Sequence, residues 1–314
     1  MVGRLGWWVG LALLVLAGCG RDGAGPRLEL RPSSAEPVQR YEGWLRRDVA
    51  LYVEVCRPDG QGPFPTVLLV HGGQWGPTAS LRALCWGWAQ RGYLVVLPHL
   101  RGQGKSQGRV SLCGDEAADL PPLVRALRDH GGSERVALVG FSMGACVALK
   151  AAQGAPWVAG VAHVLGPTDL VEQLELLRSA GRLEAVARRQ ALVGGSPQAC
   201  PRCYAERNPL AFARALEAPL LILQAGNDPL VPATQGCRLA AEREAMGRRV
   251  YRVALTQGGQ PWTGPLTKRR ACLGKPTGFG PLTEDHLVLY PDLGHKTTPA
   301  LLALVERALA AWLE

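Results

Sequence analysis

From residue 38 onward, short runs of consecutive apolar residues alternate with stretches whose apolar positions recur every three or four residues. Residues 38–46 and 49–57 are rich in Val, Tyr and Trp, lie a few residues apart, and read as an antiparallel pair of strands. Thr66-Val67-Leu68-Leu69-Val70 carries no alternation, the pattern of a strand covered on both faces. Similar runs at 93–97, 135–139, 158–165, 219–223, 251–255 and 287–290 read as strands, and 81–90, 116–128, 143–152, 233–246 and 301–313 as helices. This alternation predicts an α/β fold: a doubly wound, mostly parallel sheet of about eight strands with helices on both faces. In such a sheet ligands bind beyond the carboxyl ends of the strands, so the loops after the strands are where chemistry is expected.

Two connections are too long to be plain turns. Residues 168–218 place Leu170, Leu174, Leu177 and Leu183 at helical spacing and predict a helical lid inserted in the sheet domain. Residues 257–285 form a second insertion, rich in Gly, Pro and basic side chains.

The chain before residue 38 has another character. Met1 to Arg4 is short and basic, and residues 5–16 are an apolar run of secretory-signal length, too short to span a bilayer comfortably. The run ends in Leu16-Ala17-Gly18-Cys19, which resembles the lipobox of bacterial lipoproteins. That resemblance implies a signal peptide at 1–18, lipid on Cys19, and a membrane-anchored protein on the periplasmic or extracellular face. Residues 19–37, without apolar periodicity, read as a flexible tether, leaving 38–314 as the folded domain.

Export changes the meaning of the cysteines. Nine are present, and eight remain after Cys19, an even number that favours disulfides in an oxidising compartment. Their pairing cannot be read from order alone. Cys200-Pro-Arg-Cys203 reads as a crosslink within a loop, because no second CxxC or His cluster completes a zinc site. Cys146 reads as a small buried residue on a helix.

Composition adds little to this picture. The net charge of +9 raises nucleic-acid binding, but the arginines are scattered, often as pairs such as Arg46-Arg47, Arg188-Arg189 and Arg248-Arg249 with acids between them. No basic stripe interleaved with aromatics is present, and a solvated basic surface with no nucleic-acid partner is expected.

The chemistry concentrates at Gly140-Phe141-Ser142-Met143-Gly144, a G-x-S-x-G motif placed between a buried strand and a helix. A serine there must sit on a sharp, strained turn, where side chains two positions either way would clash. The following helix aims its N-terminal N–H groups at developing negative charge. Three further signposts accompany it: His71-Gly72-Gly73 after the first buried strand, Arg101-Gly102-Gln103-Gly104-Lys105-Ser106 after the second, and the loops carrying Asp228 and His295.

Together these motifs make residues 38–314 resemble the α/β-hydrolases, nearest to dienelactone hydrolases, prolyl-oligopeptidase catalytic domains and related esterases. The resemblance implies a Ser, acid, His order with Ser142 as nucleophile. Gly226-Asn227-Asp228-Pro229-Leu230-Val231-Pro232 matches the acid loop, giving Asp228, with Asp169 as the alternative position. His295, in Asp292-Leu293-Gly294-His295, matches the base. Of the other histidines, His71 belongs to the oxyanion loop, His99 stands where the family often has Asp and bears on loop anchoring, and His163 is a core residue. His130 and His286 lack supporting context. The oxyanion donors are expected to be the N–H groups of Met143 and Gly73, and Trp75 either walls the substrate pocket or packs beneath the lid. The implied activity is hydrolysis of an ester through an acyl-enzyme, without metal or organic cofactor, on a small-molecule or peptide acyl substrate. A prolyl-oligopeptidase-type peptidase or amidase is the second reading, and a non-catalytic lipoprotein scaffold the third.

Overall fold

The computed structural model describes residues 26–34, 39–46, 48–266, 274 and 276–314. The expected signal peptide, Cys19 and part of the expected tether lie outside the described residues.

Strand β1 (Arg27–Ser34) pairs antiparallel with β2 (Gln39–Arg46), which pairs antiparallel with β3 (Leu51–Arg57). Strands β4 (Phe64–Val70), β5 (Leu94–Pro98), β6 (Gly132–Phe141), β7 (Val158–Val164), β8 (Leu220–Ala225), β9 (Val250–Ala254) and β10 (Asp285–Tyr290) complete the sheet. Its order is β1-β2-β3-β5-β4-β6-β7-β8-β10-β9. β3 meets β5 antiparallel, and every later neighbour in that order is parallel. The expected mostly parallel sheet is therefore present, with ten strands among the described residues where about eight were expected.

β1 corrects the tether expectation over 27–34. Arg27-Leu28-Glu29-Leu30-Arg31 alternates with a period of two, which buries Leu28 opposite Leu45 and leaves the charges outward. Arg46 donates to Glu29 at 3.0 Å and Arg31 to Glu42 at 2.9 Å across the pairing. Such exposed pairs are each worth only about 0–1 kcal/mol, so the buried leucine does most of the docking.

Each central strand feeds two cores. In β4, Leu68 and Val70 face one apolar cluster while Val67 and Leu69 face the other; Leu138 and Val139 divide in the same way in β6. Helices α1 (Ala79–Ala89) and α9 (Pro299–Leu313) cover one face through Leu81, Trp88, Leu301, Val305 and Leu309. Helices α2 (Leu120–Leu127), α3 (Met143–Ala151) and α8 (Ala233–Ala245) cover the opposite face. The 168–218 segment is helical, as expected, with α4 (Leu170–Ser179), α5 (Leu183–Val193), α6 (Pro201–Ala205) and α7 (Pro209–Arg214). At the middle of β7, a Cβ on Gly160 would come within 2.1 Å of the Trp312 ring, so the indole of α9 lies in a notch that only glycine leaves open. Its Nε1–H donates to Leu282 O at 2.7 Å.

Disulfides join Cys56 to Cys85, Cys113 to Cys146 and Cys200 to Cys203, and Cys237 is also disulfide-bonded. The first ties β3 to α1. The second corrects the reading of Cys146, which is buried as expected but bonded rather than free. The third is the expected short crosslink, at the start of α6.

Candidate active site

Ser142 stands between β6 and α3 with φ 50° and ψ −124°, a conformation that costs a non-glycine residue about 1–3 kcal/mol. The turn is pinned from the next strand, where Ser142 N–H donates to Val164 O at 2.8 Å. Its flanking glycines are required by contact: a Cβ on Gly140 would meet Ala145 Cα at 2.4 Å, and one on Gly144 would meet Val70 O at 2.2 Å. The strained serine is thus wedged between the end of β4 and the first turn of α3.

The two other loops lie two and three parallel strands further along, after β8 and β10. After β8, Gly226 N–H donates to Tyr290 O at 2.8 Å and Asn227 N–H to Leu293 O at 2.9 Å, which ties the Asp228 loop to the His295 loop. The Asp228 carboxylate is fully buried; Oδ1 accepts the N–H groups of Leu230 at 2.8 Å and Val231 at 2.9 Å. His295 Nδ1–H donates to the remaining oxygen, Oδ2, at 2.6 Å. That bond directs the lone pair of Nε2 outward, where Ser142 Oγ–H reaches it at 3.0 Å. Three residues far apart in sequence therefore form one chain of hydrogen bonds able to take a proton from the serine.

Asp169 is elsewhere occupied. It caps α4, accepting from Val171 N at 2.9 Å and Glu172 N at 3.0 Å, and pairs with Arg238 at 3.1 Å. His71 is fully buried: its Nδ1–H donates to Gly72 O at 3.0 Å, and its Nε2 accepts Leu100 N–H at 3.1 Å. Burial pushes its imidazole down to about 4, so it stays neutral and holds the loop after β4. His163 is buried on β7, which likewise lowers it to about 4. His99 anchors the glycine-rich loop after β5: Nδ1 accepts Lys105 N–H at 3.0 Å, and Nε2–H donates to Glu54 at 2.8 Å. Burial alone would raise Glu54, but hydrogen bonds from His99 and Arg82 outweigh it and hold the carboxyl at about 2. His130 bonds to Leu28 O, and His286 is buried beneath Tyr251.

Two recesses open beside Ser142. The larger, about 670 Å³, runs from Gly72, Gly73 and Ser142 between α1 and α9, past Leu84 and Leu302. It ends where Glu306 accepts Trp88 Nε1–H at 2.7 Å and faces Arg91 at 3.4 Å. The smaller, about 240 Å³, lies against Gly73 and Met143 and is roofed by Arg188 and Arg189 of α5. Trp75 borders both and is 82% exposed, a wall rather than a packed residue. Met143 opens α3, so its N–H belongs to the helix's unpaired first turn, and Gly73 has φ 72° in the facing loop. Sequence reasoning did not find the second recess: Arg188-Arg189 was read as solvated surface, and only their position on a lid helix folded back over the elbow distinguishes them.

A family model described as X-Pro dipeptidyl-peptidase (S15 family) matches residues 47–194. The chain is 27% identical over 202 residues to Esterase EstD of Thermotoga maritima, covering 56% of this chain and 49% of that protein. It is 30% identical over 286 residues to Dipeptidyl aminopeptidase BIII of Pseudoxanthomonas mexicana, covering 84% of this chain and 40% of that protein. The chain thus spans half or less of the length of these two relatives. Among solved structures, an esterase of Pyrococcus furiosus superposes with a TM-score of 0.62 at 18% identity, covering 92% of this chain and 98% of that one. Sheet order and the likeness to this esterase structure show that the chain has the α/β-hydrolase fold.

Proposed function

We propose that this chain is a serine hydrolase that cleaves a carboxylic ester. The observation that carries the reading is the unbroken pair of hydrogen bonds from Asp228 through His295 to Ser142, at 2.6 and 3.0 Å. Ser142 Oγ attacks the carbonyl carbon while its proton passes to His295 Nε2; the carbonyl π electrons move onto oxygen, where the N–H groups of Met143 and Gly73 receive them. The oxyanion collapses, the bond to the alcohol oxygen breaks, and that oxygen takes the proton from Nε2. Water then attacks the acyl-serine, gives a proton to His295, and releases the acid with Ser142 restored.

The leaving oxygen must face His295 to be protonated. Thr297, Leu302 and Glu306, which follow His295, line the larger recess, so the alcohol is assigned to that apolar groove. A fluorophosphonate probe tests the whole reading: it should label the folded wild-type protein and not Ser142→Ala. Absence of label on wild type would favour the scaffold reading.

Peptide or amide cleavage is the second reading, favoured by the S15 match over 47–194 and the similarity to a dipeptidyl aminopeptidase. The arginines beside Met143 weigh against a substrate with a free N-terminal ammonium there. Turnover of 4-nitrophenyl esters set beside a dipeptidyl prolyl amide decides between the two.

Export and lipidation at Cys19 are part of the proposal, supported by Leu16-Ala17-Gly18-Cys19 and by disulfide bonding at seven described cysteines. Metabolic labelling with a fatty-acid analogue should mark wild type and not Cys19→Ala.

A further inference from the structure

The recess roofed by α5 carries the opposite chemistry to the groove. Arg188 is exposed and Arg189 half-buried, and the Nε of Arg189 is buried without a hydrogen-bond partner. Among the described residues neither guanidinium has an ion-pair partner, while Arg82, Arg101, Arg214, Arg238, Arg243 and Arg252 all do. The charges acting on Arg189 come from Arg188 and Arg182, and burial, followed by these like charges, lowers its pKa. A half-desolvated cation facing only cations is unfavourable unless something anionic completes it. The same recess touches Gly73 and Met143. An anion held there therefore lies within one substrate length of Ser142.

We infer that the recess of Arg188 and Arg189 binds a carboxylate at the far end of the substrate's acyl group, so that the enzyme prefers half-esters of dicarboxylic acids. This rests on the serine-hydrolase reading above. The acyl side follows from geometry: the alcohol is drawn toward His295 and the groove of α9, and no residue after His295 lines the arginine recess. The recess, about 240 Å³, suits a short chain of a few methylenes ending in a carboxylate. Arg189, half-buried, supplies the deeper cation, and Arg188 adds charge nearer solvent.

The test compares two substrates with one leaving group and equal acyl length: neutral 4-nitrophenyl valerate and anionic 4-nitrophenyl hydrogen glutarate. The expected ratio of kcat/KM, anionic over neutral, is at least ~10 at low salt and falls as salt rises. Arg189→Gln should collapse the ratio toward unity, Arg189→Lys should restore part of it, and Arg189→Glu should reverse it toward 4-nitrophenyl 5-aminovalerate. A wild-type ratio near or below one, or a ratio untouched by Arg189→Gln, overturns the proposal, as does a preference that appears only when the carboxylate sits on the leaving group. Calorimetric binding of glutarate to Ser142→Ala separates the two readings. Binding that Arg189→Gln weakens at least ~10-fold, when the wild-type protein hydrolyses neither ester, keeps the anion site and discards the hydrolase. Without such binding, the site is discarded even where the neutral ester is hydrolysed.

Discussion

Asp228 and Asp169 are both carboxylates that follow a parallel strand, and they differ in what their second oxygen meets. Asp169 spends its charge on a helix start and Arg238; Asp228 keeps one oxygen for His295. Asp228→Asn should lower kcat by about 10⁴ in an ester assay, because the amide no longer holds the imidazole in its Nδ1–H form. Asp169→Ala should leave turnover within a few-fold and cost about 0.5–2 kcal/mol of stability in a urea titration, the usual loss for a helix cap. The reverse pattern would move the acid to Asp169. The buried histidines give a pH prediction of definite sign. His71 and His163 are lowered from 6.5 to about 4 by burial. Their contribution to stability is complete above pH 6.5 and is lost as pH falls toward 4, where the unfolded chain binds protons that the folded one refuses. Urea midpoints should decline across that window, and His163→Leu should flatten the decline; a midpoint constant from pH 7 to 4.5 would contradict the argument. At this scale Ser142, Asp228 and His295 were legible because each stands in a motif after a strand. Arg189 was not, since a lone Arg-Arg pair has the same sequence whether it meets solvent or a recess.

Among elements, α8 is held to the sheet by a buried charge pair rather than by apolar contact alone. Arg243, 1% exposed, donates to Asp285 at 2.7 Å and to Ala213 O and Ala218 O at 2.8 and 3.0 Å, while Asp285 also accepts Leu220 N–H at 2.9 Å. The pair thus joins α7, α8, β8 and β10. Arg243→Met should destabilise by about 3–5 kcal/mol, because it leaves the buried carboxylate of Asp285 with Arg248, at 3.8 Å, as its remaining cation. A loss below ~1 kcal/mol by chemical unfolding would mean the pair is replaceable. The 3.6- and 2-residue periodicities made most elements legible, but not this cross-link: Arg243 reads as an ordinary polar helical position until β10 brings Asp285 beneath it. β1 escaped for another reason. Its five alternating residues are mostly charged, so the pattern resembles a solvated linker unless β2 is known to offer Leu45 as a partner.

For the molecule as a whole, the disulfides bear on where it can work. Cys56–Cys85 and Cys113–Cys146 close segments of 29 and 33 residues, and bridges of this kind contribute about 2–4 kcal/mol each. Reduction under native conditions should lower the thermal midpoint by several degrees; an unchanged midpoint would remove the structural argument for an oxidising compartment. The mostly parallel sheet and the helical character of 168–218 followed from the alternation of runs, while cysteine pairing, which depends on distances in the finished fold, did not.

One contact links the last helical turn to everything upstream. Trp312 plugs β7 at Gly160, and the helix it secures begins just after His295 and forms one bank of the groove. Trp312→Ala would therefore empty that notch and loosen one bank of the groove from a position that touches none of Ser142, Asp228 and His295.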